Sequence, residues 1–528
     1  MSSKGFLRST SIVGSMTVLS RITGLVREMV LARMFGGTSG IIDAFLVAWQ
    51  IPNYLRRLFA EGAFSQAFVP VVSEYRVKRS HQETRELVDS VAGTLGTVLA
   101  LASVLGVVIA PLLILLFAPG FRQDIPKFDL TVDMLRWTFP YLLFVSLTAL
   151  AGGVLNSYQK FAMPALSTTL LNVIGIVVAA CIAPRTGNPG LVLAVGVFVA
   201  GIAQLAFLIP PLAALGLIRR PRWNWQHDGV KRIGSLMLPA ILGSSMGQLG
   251  LVLNSVIASF LVTGSIAWLN WADRLVEFPL GVFSIALATV ILPSLSSHHA
   301  ESEPARFSAT IDWAMRLVCL IVVPASVALF ALAGPLTVVI FNYGAFVATD
   351  VYMTTYALQA FSFALFGWSC IKVLAPGYFA RQDTRTPMRT ALQCLALNIG
   401  LNAVYVLALL ATGNLDTPGA HIGLALTNGI SALCNAWLLY RGLRKRDVFR
   451  PAAGWKALGG QVLGASVGMG AFLYLAGGHV ETWLARGAVE RVLTLAGCVL
   501  GGGGIYFAVL WLLGARVSDF RMQTPANS

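Results

Sequence analysis

Charge is scarce in this sequence. Asp, Glu, Lys and Arg make up only 12% of its 528 residues, whereas an ordinary soluble domain carries about 25%. Hydrophobic residues make up 56%, and the mean hydropathy is +0.74. This composition excludes a disordered chain and most soluble enzymes. It is typical of a membrane protein that crosses the bilayer many times.

Motifs for redox, metal and nucleotide chemistry are also absent. The six cysteines form no C-x-x-C pair and fall in apolar stretches, so we interpret them as small core residues. His298 and His299 have no third ligand at metal spacing, and we expect no metal site. The sequence has no G-x-x-x-x-G-K-[ST] motif, which excludes a P-loop ATPase. We therefore expect no cofactor, and any transport would be driven by the membrane potential, a coupled ion or a partner.

Long stretches without any charged residue recur along the chain. A helix that crosses a bilayer needs about 20 mainly apolar residues, and the stretches predict twelve such spans from residue 90 onward. They cover 90–121, 137–159, 161–184, 186–218, 233–272, 278–300, 317–349, 351–371, 390–415, 417–440, 457–480 and 492–515. Two more spans, 9–35 and 41–70, are interrupted by charges. The prediction is an all-α polytopic membrane protein with fourteen transmembrane helices.

The net charge of +15 indicates orientation. With both termini placed in the cytoplasm, most of the 38 Lys and Arg residues fall at cytoplasmic ends and loops. The basic residues of the outer loops are Arg122, Lys127, Arg185, Arg486 and Arg491. This asymmetry follows the positive-inside rule. The basic excess is therefore mainly topological, and we expect no nucleic-acid partner.

Five arginines lie inside predicted spans, where lipid disfavours them. Arg21 and Arg27 are in the first span, Arg56 and Arg57 in the second, and Arg274 in the eighth. A central arginine costs about 2.5–3.5 kcal/mol to insert, so these side chains should face protein or a water-filled cavity. The acids that accompany them are Glu28, Asp43, Glu61, Asp273 and Glu277. Lys372, inside a later span, is a further candidate for lining a pathway.

Two interpretations of these arginines compete. The spacings of Arg57 to Glu61 and of Arg274 to Glu277 allow ion pairs within one helix, which would be purely structural. Alternatively, the arginines form a cationic cavity for an anionic headgroup, because guanidinium groups bind phosphate oxygens in pairs. We favour the second interpretation, since Arg21, Arg27 and Arg56 lack an acid at good helical spacing. Arg33, Arg136 and Arg316 are explained by their positions near span ends or by neighbouring acids such as Asp133 and Asp312.

The two halves of the chain are faintly similar. GAFSQA (62–67) resembles GVFSIA (281–286), and other short matches follow in the same order, as expected for a parallel six-helix repeat. We predict an N-terminal lobe at 1–225, a C-terminal lobe at 226–452, and two added helices at 453–528 that could form a lipid-tail groove. Pro52, Pro279 and Gly24 are candidate hinges.

At several of these segments the chain resembles the MurJ/MviN family of lipid II flippases, within the multidrug/oligosaccharidyl-lipid/polysaccharide exporter superfamily. The similar segments are SRITGLVRE (20–28), DAFLVAWQIPNYLRRLFAEGAFSQAFVP (43–70), APGF (118–121), WADRLVEFPLGVFSIALATVILPSLS (271–296) and KVLAPGYFARQDTRTP (372–387). The resemblance implies alternating access across the bacterial inner membrane. Its substrate would be lipid II, the undecaprenyl-diphosphate-linked disaccharide-pentapeptide of peptidoglycan.

The resemblance also assigns roles to residues. The family's functional positions fall on Arg21, Arg27, Asp43, Arg56, Arg274 and Glu277, with Arg57 and Asp273 adjacent. We expect the four arginines Arg21, Arg27, Arg56 and Arg274 to bind the diphosphate and the first sugar. The acids would hold these arginines or lock the lobes. Flipping breaks no covalent bond, so no catalytic residue is expected.

Three other functions remain open at this point. A multidrug or other polyprenyl-linked oligosaccharide exporter of the same superfamily would share the fold. A membrane-embedded glycosyltransferase or ligase would need acids or nucleophiles near an outer loop, and the outer loops are too short to build such a site. A cell-wall assembly scaffold, bound to cell-wall synthesis proteins, would use the arginines only structurally.

Overall fold

The computed structural model describes residues 3–57, 64–217 and 220–516. Every regular element in these ranges is helical, and none is a strand, so the all-α fold predicted from the sequence is confirmed. The chain divides into two compact units, Met1–Gly264 and Ser265–Ser528.

The described residues of the first unit form ten α-helices. They are α1 (Ser3–Phe35), α2 (Ile41–Arg56), α3 (Ser65–Lys78), α4 (His81–Val108), α5 (Ala110–Phe117), α6 (Ile125–Thr138), α7 (Tyr141–Ser157), α8 (Ala162–Val177), α9 (Pro189–Ala213) and α10 (Asp228–Ala258). Short signals set their ends. Ser80 and Glu83 form a capping box that starts α4, which satisfies backbone N–H groups that have no partner within the helix. Gly40 precedes α2 with φ of 72°, a left-handed conformation that glycine adopts without strain.

Ten further α-helices are described in the second unit. They are α11 (Ser265–Pro279), α12 (Ile285–Ala300), α13 (Pro304–Ala331), α14 (Ala333–Phe341), α15 (Ala348–Phe379), α16 (Arg385–Thr412), α17 (His421–Lys445), α18 (Trp455–Gly477), α19 (Val480–Ala485) and α20 (Ala488–Leu512). Helix α15 is the centre of this unit and packs against α11, α13 and α17. Helices α18 and α20 pack against each other, and α18 packs on α13.

Ten helical segments of the described residues are long and apolar enough to cross a membrane. They account for ten of the predicted spans. The other four predicted spans fall on α1, on α2 with α3, on α10, and on α11 with α12. The count of fourteen transmembrane helices remains a prediction.

Helix α10 belongs to the first unit, although the predicted lobe boundary at 225/226 lies before it. It packs against α3, α4 and α5, and Arg232 of α10 donates to the Glu74 carboxylate of α3 at 2.8 Å. The boundary at 225/226 is derived from the sequence repeat, whereas the boundary at Gly264, after α10, is derived from helix packing. The two describe different properties of the chain, and the repeat-based lobes remain a prediction.

A buried carboxylate anchors α18 to α13. Asp312 accepts from Arg316 at 2.6 Å, from the indole of Trp455 at 2.7 Å and from the backbone of Ala452 at 3.1 Å. The predicted pairing of Arg316 with Asp312 is confirmed, and so is that of Arg136 with Asp133 at 3.1 Å. Helix α18 is therefore fixed to α13 by hydrogen bonds to a charged carboxylate as well as by helix packing.

The turn between α15 and α16 contains an acid with a strongly lowered pKa. Asp383 accepts from the Thr386 hydroxyl at 2.6 Å, from the Thr386 backbone N–H at 2.9 Å and from Arg446 at 2.6 Å. Led by the Thr386 hydroxyl, these donors lower the pKa of Asp383 from 3.8 to about 2, against partial burial, which raises it. The carboxylate therefore favours the folded state only while it is charged.

Replacing Asp383 by asparagine is expected to lower the stability of the folded chain by about 1–2 kcal/mol at pH 7. Because the folded pKa lies below the unfolded one, this contribution is complete above about pH 4 and is lost as the pH falls toward 2. Thermal unfolding of both proteins across that range measures it. Asp416→Asn, in an exposed loop, serves as the control. A stability difference that does not shrink on acidification would contradict the assignment.

Candidate functional site

Arg27 lies on the buried side of α1 and forms an ion pair there. Its Nη2 donates to Glu28 Oε1 at 2.7 Å, with 19% of the arginine side chain and 4% of the glutamate side chain exposed. The sequence provided both residues but gave no reason to pair them, because neighbours on a helix point about 100° apart. The long side chains converge, and they leave the Nε of Arg27 buried without a hydrogen-bond partner among the described residues.

A small cavity of about 30 Å³ opens beside Arg27. Aromatic side chains Phe45 and Trp49 of α2 line it, together with aliphatic residues of α8 and α9. A void of this volume can hold a water molecule. Close packing also constrains the arginine, because a β-carbon at Gly175 would lie 3.0 Å from the Cδ of Arg27. An arginine in such surroundings is held in position while part of its donor capacity stays unused.

Polar contacts between α1 and α8 fix the segment that carries Arg21 and Arg27. Asn172 of α8 donates to the Ser20 carbonyl at 3.1 Å and to the Thr23 hydroxyl at 3.3 Å. Gly24 faces the same amide, with its absent β-carbon 3.6 Å from Asn172 Nδ2. Helix α1 runs continuously through Gly24. A β-carbon would fit there in ordinary contact, so packing does not require glycine at this position, and its role as a hinge remains a prediction.

The other cationic candidates of the first unit differ in exposure. Arg21 is exposed, and Arg56 is half-buried with its Nε donating to Asn53 Oδ1 at 2.9 Å. Arg57 is half-buried. Glu61, its predicted helical partner, lies outside the described residues. Pro52 falls within α2, and the backbone becomes π-helical at position 57, a local widening that is frequent at functional sites.

Asp43 is buried and contacts a lysine and a backbone amide. Its Oδ2 accepts from Lys127 Nζ at 3.0 Å and from the Gly264 backbone N–H at 2.7 Å. The lysine is also buried, and its ammonium lies 4.3 Å from the ring centroid of Phe121. The sequence predicts Lys127 in an outer loop and offers no reason to pair it with Asp43, since 84 residues separate the partners.

Arg274 on α11 forms the pair that its spacing predicted. Its Nη1 donates to Glu277 Oε2 at 2.7 Å, and 35% of the arginine side chain is exposed. Asp273 is half-buried beside it, and Lys372 on α15 is exposed. Pro279 ends α11, and Leu280–Ser284 forms a π-helical turn before α12 begins. The helix thus departs from regular α geometry next to Pro279, whose role as a hinge remains a prediction.

One further group of potential ligands was missed in the sequence. At the end of α12, ligand atoms of His298, Glu301 and Glu303 lie within 4.8 Å of one another. Glu303 also accepts from Arg306 at 3.0 Å, and the chain turns at Ser302 with φ of 58°. We interpret the group as an ion network at a helix end, because the arginine neutralises the carboxylate that a metal ion would need.

These side chains are suited to binding an anion rather than to covalent chemistry. Arg27 and Arg56 are held by a carboxylate and by an amide, and Arg274 is held by a carboxylate. A guanidinium group has five N–H donors and binds carboxylate or phosphate oxygens in pairs. Arg27 and Arg56 belong to the first unit, and Arg274 belongs to the second.

Comparison with known sequences gives a consistent family. The profile of the family described as lipid II flippase MurJ matches residues 31–493. A probable lipid II flippase MurJ of Haemophilus influenzae is 41% identical over 514 residues, which cover 95% of this chain and 98% of that protein. The lipid II flippase MurJ of Burkholderia cenocepacia is 39% identical, over 97% of this chain and 98% of that protein.

Solved structures share the fold. A lipid II flippase MurJ in an inward closed conformation matches with a TM-score of 0.76 at 23% identity, covering 95% of this chain and 97% of that chain. A multidrug resistance MATE family transporter of the MOP superfamily matches with a TM-score of 0.62 at 14% identity, covering 82% of this chain and 97% of that chain. At these identities the structures establish the architecture alone.

Proposed function

This chain belongs to the lipid II flippase MurJ family, and from that membership we propose that it carries lipid II from the inner to the outer leaflet of the bacterial inner membrane. The observation that carries the proposal is the match of the family profile over residues 31–493, together with 41% identity to a probable lipid II flippase over 95% of the chain. The apolar helices of both units agree with a multi-pass membrane location.

The arginines are the groups that bind the headgroup in this proposal. Lipid II presents a diphosphate, and Arg21, Arg27, Arg56 and Arg274 supply guanidinium donors that match its oxygens. Glu28 and Glu277 orient two of these arginines through the ion pairs described above. Asp43, Asp273, Glu61, Arg57 and Lys372 are secondary candidates for gating or for lining the pathway. Transport follows alternating access, with the polyprenyl tail remaining in lipid.

The proposed process needs no covalent step and no cofactor. Moving an anion outward across an inside-negative membrane is favoured by about 2.3 kcal/mol per charge per 100 mV. The potential can therefore drive export directly, or it can reset the empty cationic site for the next transport cycle. A coupled ion is the alternative energy source. The predicted charge distribution places both termini in the cytoplasm. Cell-wall synthesis proteins are the proposed protein partners.

A multidrug exporter is the second candidate, and its support is limited to the shared fold. The MATE neighbour shares the architecture at only 14% identity, which says nothing about its substrate site. A site for cationic drugs would need a net acidic lining, whereas the half-buried candidates include four arginines, Arg27, Arg56, Arg57 and Arg274. The flippase remains the better-supported function.

Export of lipid II in living cells tests the proposal. In cells depleted of their own flippase, expression of the whole chain should restore lipid II at the outer surface, measured by its accessibility to an external modifying enzyme. Arg274→Ala should reduce this signal at least about tenfold if the arginine contacts the diphosphate in the transported state. Arg389→Ala, an exposed arginine at the start of α16, is the matched control. Failure of the wild-type chain to restore the signal, at normal protein levels, would refute the flippase assignment.

A further inference from the structure

The segment between α9 and α10 carries two exposed tryptophans on a polar stretch. Trp223 and Trp225 are 56% and 55% exposed, and their rings stack with centroids 6.4 Å apart and planes 22° apart. The stacked rings therefore lie on the same side of the segment. The surrounding sequence, RPRWNWQHD (220–228), is too polar to lie within a transmembrane span. Lipid tails therefore do not explain this exposed aromatic surface.

Contacts with α4 fix the level of this segment. The backbone N–H of Arg222 donates to the Asp89 carbonyl at 3.2 Å, and that of Asn224 donates to the Thr94 hydroxyl at 3.2 Å. Gly93 allows this approach, because a β-carbon there would lie 2.3 Å from the Arg222 carbonyl oxygen. The tryptophan pair is thus held on a defined backbone rather than on a loose loop.

That level coincides with the edge of the membrane. Asp89 is the last charged residue before the apolar stretch 90–121. The preceding part of α4, from His81, is polar and extends about 12 Å. This pattern predicts that residues 89–94 lie at the boundary of the hydrocarbon layer, on the side that the charge asymmetry predicts to be cytoplasmic. Trp223 and Trp225 lie at the depth of the lipid headgroups, where tryptophan rings are enriched in membrane proteins.

Charge identifies which headgroups fit. Arg220 and Arg222 are exposed and directly precede the two tryptophans in the chain. Lys231 adds another exposed cation at the start of α10, whereas Arg232 is already paired with Glu74. Asp228 is the acid within 220–232. The balance remains basic, and basic residues near an anionic leaflet each add to the attraction.

We propose that residues 220–225 form a binding surface for anionic phospholipids of the cytoplasmic leaflet. The two tryptophan rings insert between headgroups, and the guanidinium groups of Arg220 and Arg222 bind the phosphates. The surface anchors the junction of α9 and α10 at the membrane plane. It includes none of the arginines proposed for lipid II, and the proposal does not depend on the transported substrate.

Native mass spectrometry of the purified full chain tests this proposal, with phosphatidylglycerol and phosphatidylethanolamine titrated separately. Arg220→Gln/Arg222→Gln should weaken binding of the first phosphatidylglycerol at least about tenfold and change phosphatidylethanolamine binding less than about twofold. Trp223→Ala/Trp225→Ala should weaken both lipids, because the rings contact headgroups of either charge. Glutamine preserves the backbone contact of Arg222, and thermal unfolding checks that each variant is folded.

Trp137→Ala is the matched control. Trp137 is an exposed tryptophan of α6, and the neighbouring Arg136 is already paired with Asp133. It should bind both lipids like the wild type. Unchanged phosphatidylglycerol binding in the arginine variant would overturn the proposal, as would an equal loss of both lipids. Displacement of phosphatidylglycerol by millimolar inorganic phosphate would also overturn it, because the surface would then be a simple anion site.

Discussion

Replacing Arg27 by alanine is expected to abolish lipid II export at normal protein levels, a loss of at least about a hundredfold if two charge-assisted hydrogen bonds to the diphosphate disappear. The alanine variant also leaves Glu28 buried without its arginine partner. Appearance of lipid II at the outer surface of depleted cells is the measurement. We expect Arg27→Lys to recover the signal only in part, because an ammonium group lacks the planar pair of donors.

Arg33→Ala provides the control on the same helix. Arg33 is exposed near the end of α1, so its removal should leave export within about twofold of the wild type. Glu28→Gln distinguishes orientation from binding: it keeps the size of the partner and removes its charge, and it should lower export less than Arg27→Ala does. Normal export by both Arg27→Ala and Arg274→Ala would refute a cationic headgroup site, whatever the family assignment.

Replacing Lys127 by methionine is expected to destabilise the folded protein by about 3–5 kcal/mol, because it leaves the Asp43 carboxylate buried without its countercharge. Both side chains are almost completely buried, with 9% of Lys127 and 2% of Asp43 exposed. The Gly264 N–H still contacts the carboxylate, but a single backbone dipole does not neutralise a full charge. Unfolding of the purified variants in matched micelles measures the effect.

A second variant separates lost pairing from altered packing. Asp43→Asn/Lys127→Met removes both charges, and we expect it to recover most of the stability, because neither buried charge is then left alone. Arg136→Ala is the control on the same helix, since its pair with Asp133 is exposed and contributes less than about 1 kcal/mol. If Lys127→Met lowers the free energy of unfolding no more than Arg136→Ala does, the buried pair contributes no more to stability than the exposed pair.

Three ion pairs differ in how far the sequence could predict them. The pair of Arg274 with Glu277 was predictable, because residues three apart lie on one helix face. The pair of Arg27 with Glu28 was not, since it depends on side-chain rotamers beside α8. The pair of Asp43 with Lys127 was beyond sequence reasoning, because nothing local relates α2 to α6. Charged residues in apolar spans nevertheless identified five of these six residues as candidates before any contact was known: Arg27, Glu28, Asp43, Arg274 and Glu277.

Residues 220–225 also show a difference between what the sequence predicts and what the tertiary structure adds. The sequence RPRWNW (220–225) is basic and aromatic. This composition is compatible with a loose loop as well as with an anchored one. The contacts of Arg222 and Asn224 with α4 supply the missing information. They place the rings beside the residue at which the apolar stretch of α4 begins.

The sequence by itself determined the class of this protein: an all-helical membrane chain, with arginines in positions that lipid disfavours. It could do so because the cost of placing charge in hydrocarbon acts on each residue separately, and a pattern along the chain therefore records it. The tertiary structure alone decided which charges meet, which are buried and which remain exposed. Those outcomes depend on distances between helices that are far apart in the chain, and no local pattern encodes them.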